Sequence, residues 1–197
     1  MKILLAACNA KYIHSNLAVF NLKAYAKEYD SQVVLREYTI NQLKDDILKD
    51  IYRCHPDVVC VSCYIWNITF VRELMQDLRK ILPDVPFWAG GPEVSYDAET
   101  FLGKNPAFNG VMVGEGEETF LELVKHYVDG SVTLEETRGL VYRKADGALQ
   151  NNGWRRLMDL SKVPFAYENL EDFENRIIYY ESSRGCPFSC SYCLSSI

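Results

Sequence analysis

The feature that most constrains this chain is a series of short, uninterrupted apolar runs separated by amphipathic stretches of helical length. Residues 2–7 (KILLAA) are apolar without helical spacing, the pattern of a strand covered on both faces. Residues 32–38 and 57–63 (DVVCVSC) repeat it, and shorter runs follow at 87–89 and 110–113. Between the runs, spacing predicts a helix over 16–29. A second is opened by a Thr39-x-x-Gln42 capping box and carries Ile40, Leu43, Ile47 and Ile51. A third covers 67–82, with Ile68, Val71, Met75, Leu78 and Leu82 on one stripe. A short helix around 98–102 and another over 117–128, ended by Gly130, complete the series. Strict alternation of strand and helix with strands of the buried type predicts a doubly wound, five-stranded parallel α/β sheet over residues 1–130.

After Gly130 the rhythm changes. Residues 139–143 and 148–151, joined through Asp146-Gly147, read as a β-hairpin. Residues 152–176 contain Pro164 and many polar positions and read as a linker, so 131–176 forms a hairpin-and-linker region. Residues 177–182 (IIYYES) read as a strand that delivers the chain to Arg184-Gly185-Cys186. A lone strand is not a domain, so residues 177–197 are expected to be the start of a second domain, cut short. Lacking partner strands, that tail is expected to be loosely ordered.

Composition narrows the class. Apolar residues make up 48% of the 197, enough to exclude a disordered chain. The formal charge of −6 disfavours nucleic acid as a partner. No apolar run approaches a membrane span. Leu5-Ala6-Ala7-Cys8 spells a lipoprotein cleavage site, but only Lys2 and residues 3–7 precede the cysteine, too little for a signal peptide. The expectation is a cytoplasmic protein.

Seven cysteines fall in three settings: Cys8, then Cys54, Cys60 and Cys63, then Cys186, Cys190 and Cys193. The last group has C-x3-C-x2-C spacing, and its clustering suggests a metal site in a reducing compartment. Three thiolates on a tight loop suit a cubane iron–sulfur cluster with one open iron. The competing reading is a zinc knuckle whose fourth ligand lies outside this chain. Cys60 and Cys63 do not easily join either site, since residues three apart in a strand point to opposite faces.

A strand followed by Arg-Gly and C-x3-C-x-aromatic-C resembles the opening of the radical SAM enzymes. The preceding residues, with their Gly90-Gly91-Pro92-Glu93 and Gly114-Glu115-Gly116-Glu117 loops, resemble the flavodoxin-like or Rossmann-like cobalamin-binding domain that one branch carries before its barrel. The resemblance implies a [4Fe–4S] cluster on Cys186, Cys190 and Cys193, with S-adenosylmethionine on the open iron and Tyr192 near its adenine. It also implies one-electron cleavage of the sulfonium, an electron donor protein as partner, and cobalamin as a further cofactor.

A ligand of an open α/β sheet sits at the carboxyl ends of the strands. Four loops are expected there: 9–15, 62–67, 90–93 and 113–116. Ser62 and Gly90-Gly91 match the Ser and Gly-Gly elements of cobalamin domains. Gly114, Glu115 and Gly116 form a second glycine loop, and Tyr64 and Trp66 stand where they can flank a corrin, fill the core or meet another domain. Domains with a cobalt-ligating histidine carry D-x-H-x-x-G; here Tyr12 and Leu17 replace the Asp and Gly around His14. Without a carboxylate to orient it, His14 is the weakest site candidate, and base-off cobalamin is expected. Cys8, Cys54, Cys60 and Cys63 read as buried small residues, and Glu117 and Glu118 as helix-dipole partners.

The leading function is therefore the amino-terminal part of a cobalamin-dependent radical SAM enzyme performing methylation, rearrangement or cyclisation, the fragment alone being inactive. A degenerate docking module and a tRNA methylthiotransferase, which needs three further cluster cysteines, are the alternatives. A receiver domain is disfavoured because Cys63 stands where its Asp is required. A dinucleotide enzyme lacks its glycine fingerprint here.

Overall fold

The computed structural model describes residues 1–186, 188 and 190–193. Its first half alternates as expected: β1 (Ile3–Asn9), α1 (Leu17–Tyr25), β2 (Val33–Thr39), α2 (Lys44–Cys54), β3 (Val58–Ser62), α3 (Ile68–Ile81) and β4 (Phe87–Gly90). Then come α4 (Pro92–Ser95), α5 (Ala98–Lys104), β5 (Gly110–Met112), α6 (Glu117–Val128), β6 (Leu140–Arg143) and β7 (Leu149–Asn151). The strands form one sheet in the order β2-β1-β3-β4-β5-β6-β7, the first five parallel and the last two antiparallel.

The period of two along β1 assigns its side chains to two cores. Leu4, Ala6 and Cys8 face a cluster with Ile47 and Ile51 of α2 and Val71, Met75 and Leu78 of α3. Ile3, Leu5 and Ala7 face Val19 of α1 and Phe120, Leu123 and Val124 of α6. All seven residues of β1 are buried, which is why the run showed no polar alternation. Trp88 is buried against Gly110, where any side chain would collide with the indole ring.

Three expectations are corrected. The hairpin is not separate from the sheet: Leu140–Arg143 pairs antiparallel with β5, Gly110 opposite Tyr142, and extends it. The short β5 would otherwise leave an unpaired edge, and the buried Leu140, Val141 and Tyr142 cover it. Residues 177–182 do not form a strand; Ile177 makes a single bridge to His14, and Ile178, Tyr179 and Tyr180 are exposed. High β-propensity without a neighbouring strand to pair with produces no ladder. The capping box closes a turn rather than a helix. Gln42 Oε1 accepts from Thr39 N at 2.8 Å, α2 begins only at Lys44, and Leu43 is exposed.

Smaller differences lie at helix ends. The first predicted helix breaks at Ala26 and continues as a 3-10 turn, Lys27–Tyr29. The linker carries two further 3-10 turns, Leu160–Lys162 and Leu170–Phe173. The expected loose tail beyond Cys193 lies outside the described residues.

Candidate functional site

Strand order reverses between β1 and β3, and a cleft of about 600 Å³ opens beyond the carboxyl ends of the strands. Leu5, Cys60, Val61 and Met112 form its apolar floor, and Leu17, Asn21 and Leu22 of α1 form one wall. Ser62, Tyr64, Gly90, Gly91, Gly114, Glu115 and Gly116 all line it, so three of the four expected loops meet at one place, while no residue of 9–15 lines it.

Buried asparagines hold these loops. Asn67 donates from Nδ2 to the carbonyls of Cys8 (2.9 Å) and Ser62 (3.1 Å), and its Oδ1 accepts from Tyr64 N at 2.7 Å. One fully buried amide thus ties the ends of β1 and β3 to the turn that starts α3. Asn16 caps α1 and donates to Asn9 Oδ1 and Ser62 Oγ. Sequence reasoning passed over both residues, although an Asn directly before a helical stripe is a capping signal.

The two glycines after β4 do different work. Gly91 has φ +112°, and a Cβ there would lie 2.5 Å from the Cys63 carbonyl oxygen, so the fold demands glycine. A Cβ on Gly90 would make only ordinary contact, 3.5 Å from the Met112 methyl. Glycine at that position keeps space open in the cleft. Among the described residues no apolar bulk fills the space beside Gly90, a filling that would have favoured the docking-module alternative. Gly114, at φ +76°, lies under the Trp154 ring, which also packs against Tyr96.

Electrostatics concentrate on Arg184. Its guanidinium donates to Glu115 (3.2 Å), Glu181 (2.6 Å) and both oxygens of Glu117, one of them at 3.1 Å. Burial alone would lower its pKa, but the hydrogen bonds and charges of Glu117 and Glu181 hold it above the usual arginine value. Glu115 also accepts from Met158 N at 2.7 Å. Glu117, expected to be a solvated dipole partner, is instead buried at 4% exposure. Arg155 binds Glu118 and Glu122 beside the same wall.

His14 is not a cleft residue. Its Nδ1 meets the Tyr179 hydroxyl at 2.6 Å and its ring stacks on Tyr179. Tyr64 does line the cleft and stacks on the half-exposed Trp66, ring centroids 4.4 Å apart. Burial raises the Tyr64 pKa, so its phenol stays protonated.

The cysteines divide in two. Cys8, Cys60 and Cys63 are buried, and burial pushes Cys8 up to about 12 and raises the other two. Cys8 and Cys63 face one core and Cys60 the other, so they do not form the extra cluster site of a methylthiotransferase. Cys186 is exposed, and Cys190 and Cys193 are partly buried. Among the described residues no three His, Cys, Asp or Glu side chains gather in a metal-holding arrangement. Tyr192 is exposed. Among the described residues, no helix is long and apolar enough to cross a membrane.

Comparison with known proteins accounts for the cleft. The B12 binding domain family model matches residues 3–124. The cobalamin-dependent radical SAM methyltransferase TokK of Streptomyces tokunonensis is 28% identical over 190 residues, covering 87% of this chain and 27% of that protein. An uncharacterized methyltransferase of Pyrococcus horikoshii is 30% identical over 159 residues, covering 77% and 34%. The anaerobic magnesium-protoporphyrin IX monomethyl ester cyclase of Cereibacter sphaeroides is 22% identical over 183 residues, covering 87% and 29%. The chain thus spans about a third or less of these relatives. Among solved structures, the cobalamin-dependent S-adenosylmethionine radical enzyme OxsB, with aqua-cobalamin and S-adenosylmethionine bound, matches with a TM-score of 0.77 at 19% identity. That match covers 96% of this chain and 28% of OxsB, and it shows a shared fold. With the family model spanning the parallel part of the sheet and the cleft above it, the chain belongs to the B12 binding domain family.

Proposed function

We propose that this chain is the corrinoid-binding part of a radical SAM enzyme that methylates or rearranges a carbon substrate. One observation carries the reading: two motifs meet at one cleft. Ser62, Gly90, Gly91 and the 114–116 loop line it, and Arg184, directly ahead of Gly185-Cys186, is bound there by Glu115 and Glu117.

The cleft suits a corrinoid. Its floor is apolar, Gly90 leaves room for a bulky ring, and positive-φ glycines bring backbone close to the ligand. A bound corrinoid supplies a cobalt centre for alkyl transfer. The chain's own residues hold and shield it. Ser62 and the glycine loops set its depth, while Tyr64, Trp154 and Leu157 limit water at the rim. His14 is given no role at the metal. The cysteines have the donor chemistry of a [4Fe–4S] cluster, and that assignment, with S-adenosylmethionine and an electron donor protein, is supported by their spacing and by the radical SAM relatives. The residues that would hold the cluster are Cys186, Cys190 and Cys193. A cytoplasmic setting is supported by the short stretch before Cys8, too little for a signal peptide, and by the clustered free cysteines.

The test is anaerobic titration with hydroxocobalamin, followed by desalting and a visible spectrum. Retained corrinoid with a base-off spectrum is expected. A histidine-ligated spectrum would overturn the assignment of His14, and loss of all corrinoid on desalting would overturn the binding site.

A further inference from the structure

The cleft contains one polar side chain that the protein itself leaves unpaired. Asn21 is 93% buried by its 7% exposure, yet it makes no side-chain hydrogen bond among the described residues. Nor is it sealed inside the fold: the orphaned, fully enclosed polar atom among the described residues is Arg176 Nε. The Asn21 amide instead opens onto the cleft, at a neck where Leu17, Asn21, Glu181 and Arg184 also border a second cavity of about 340 Å³. Every other buried asparagine that shapes the site is satisfied: Asn9, Asn16 and Asn67 all have partners. In the apo protein the Asn21 carboxamide is left to solvent in the cleft and makes no hydrogen bond among the described residues that serves the fold.

We infer that Asn21 is a ligand-binding residue, pairing with a neutral carboxamide of the bound corrinoid. The inference rests on reading the cleft as a corrinoid site. Charge at the neck selects among the corrinoid's polar groups. At the neck Glu181 and Arg184 pair with each other, and the cleft as a whole is lined by three carboxylates, Glu115, Glu117 and Glu181, and three guanidinia, Arg155, Arg156 and Arg184. Arg184 is already engaged by Glu115, Glu117 and Glu181, so the neck offers a phosphate no unengaged cation. A carboxamide carries no charge and offers one donor and one acceptor, which an asparagine amide matches reciprocally. The corrin ring carries several carboxamide arms, whereas phosphate belongs to the nucleotide arm.

The experiment titrates wild type, Asn21→Ala and the isosteric Asn21→Asp anaerobically with hydroxocobalamin and with cobinamide, which keeps ring carboxamides and lacks the nucleotide. Thermal unfolding of each apo protein is measured alongside. The expected result is an affinity loss of about tenfold in both variants for both corrinoids. The apo melting temperature of Asn21→Ala should be unchanged or higher, since no native hydrogen bond is lost and alanine favours the helix. If wild type binds and the variants bind equally well, the inference fails while the corrinoid site stands. A loss with hydroxocobalamin alone overturns the carboxamide assignment and moves the contact to the nucleotide arm. If wild type binds neither corrinoid, the site reading fails and takes the inference with it.

Discussion

The two halves of the candidate site are held in place by different means. The cleft is a product of the sheet: β1, β3, β4 and β5 end together because their registers are parallel and matched, Val61 opposite Ala89 and Ser62 opposite Gly90. Buried amides then lock the loops above those ends. The segment from 177 to the cysteines forms no ladder and exposes four successive large apolar residues; it is fastened by hydrogen bonds of Ile177 and Tyr179 to Ile13, His14, Ser15 and Tyr167 and by the ion pairs of Arg176 and Arg184. Burial and backbone pairing preorganise the first half, while scattered hydrogen bonds and ion pairs tether the second to it. A cofactor site of the first kind exists before its ligand arrives; one of the second kind depends on what binds or packs against it.

The thiols show this difference most strongly. Burial holds Cys8 at about 12, so its thiolate fraction at pH 8 is about a thousandfold below that of an ordinary exposed cysteine. Cys60 and Cys63 are raised for the same reason, and Cys186 is exposed. A thiol-reactive dye at pH 8 should therefore modify Cys186 at least about a thousandfold faster than Cys8, Cys60 or Cys63. Peptide mapping of the labelled protein checks this. Comparable rates would mean that the sheet opens as readily as the tail.

Within the cleft, the paired glycines separate folding from binding. Gly91→Ala places a Cβ against the Cys63 carbonyl in a left-handed backbone conformation, and a loss of about 3 kcal/mol is expected in urea unfolding. Gly90→Ala meets only Met112 at ordinary contact distance, so its unfolding free energy should fall by less than about 1 kcal/mol while corrinoid retention falls. Equal destabilisation by both substitutions would show that Gly90 serves the fold and not the ligand.

The tether is the next largest effect. Removing Arg184 alone leaves the buried Glu117 carboxylate uncompensated, and removing Glu117 alone strips the guanidinium of its most buried partner. Arg184→Met, Glu117→Gln and the double variant should give a coupling energy of about 2 kcal/mol in a double-mutant cycle. Limited proteolysis should cut the single Arg184 variant faster around residues 177–186, with the sheet left intact. Additive effects would mean that other contacts hold the segment.

Much of this was legible in the sequence because it is written in local patterns. Continuous apolar runs and helical stripes predicted the parallel strands, and the glycine loops and Ser62 fell at the strand ends where the cleft is found. What stayed hidden depends on partners far along the chain. The sequence does not say that Leu140–Arg143 will cap the edge of β5, since any free edge would serve. Nor does it say that IIYYES will find none, as its composition is that of a good strand. Glu117 read as a helix-dipole residue, because its burial by Arg184 links positions 67 apart. Asn21 was overlooked because a polar residue in an amphipathic helix ordinarily faces water.

The smallest effect lies at the other end of the sheet, where one polar contact serves neither half of the site. The Tyr29 hydroxyl donates to Asp129 Oδ2 at 2.6 Å, joining the turn after α1 to the end of α6. That hydrogen bond pushes Tyr29 up to about 12, and bonds from Ser131 and Tyr29 lower Asp129 to about 2. The signs set two windows. The raised tyrosine contributes stability that is fully present below its unfolded value near 10 and is lost as pH rises through about 12. The depressed aspartate contributes stability that is present above about 4 and lost as pH falls through about 2. Both groups are solvent-exposed, so the amplitudes are small. Tyr29→Phe should flatten the alkaline limb of a stability-versus-pH curve between about 10 and 12 and weaken the acid limb. Corrinoid retention and Cys186 labelling should stay at wild-type values. A change in either would show that the far end of α6 communicates with its Glu117 end, joining the two regions through the helix and not only through Arg184.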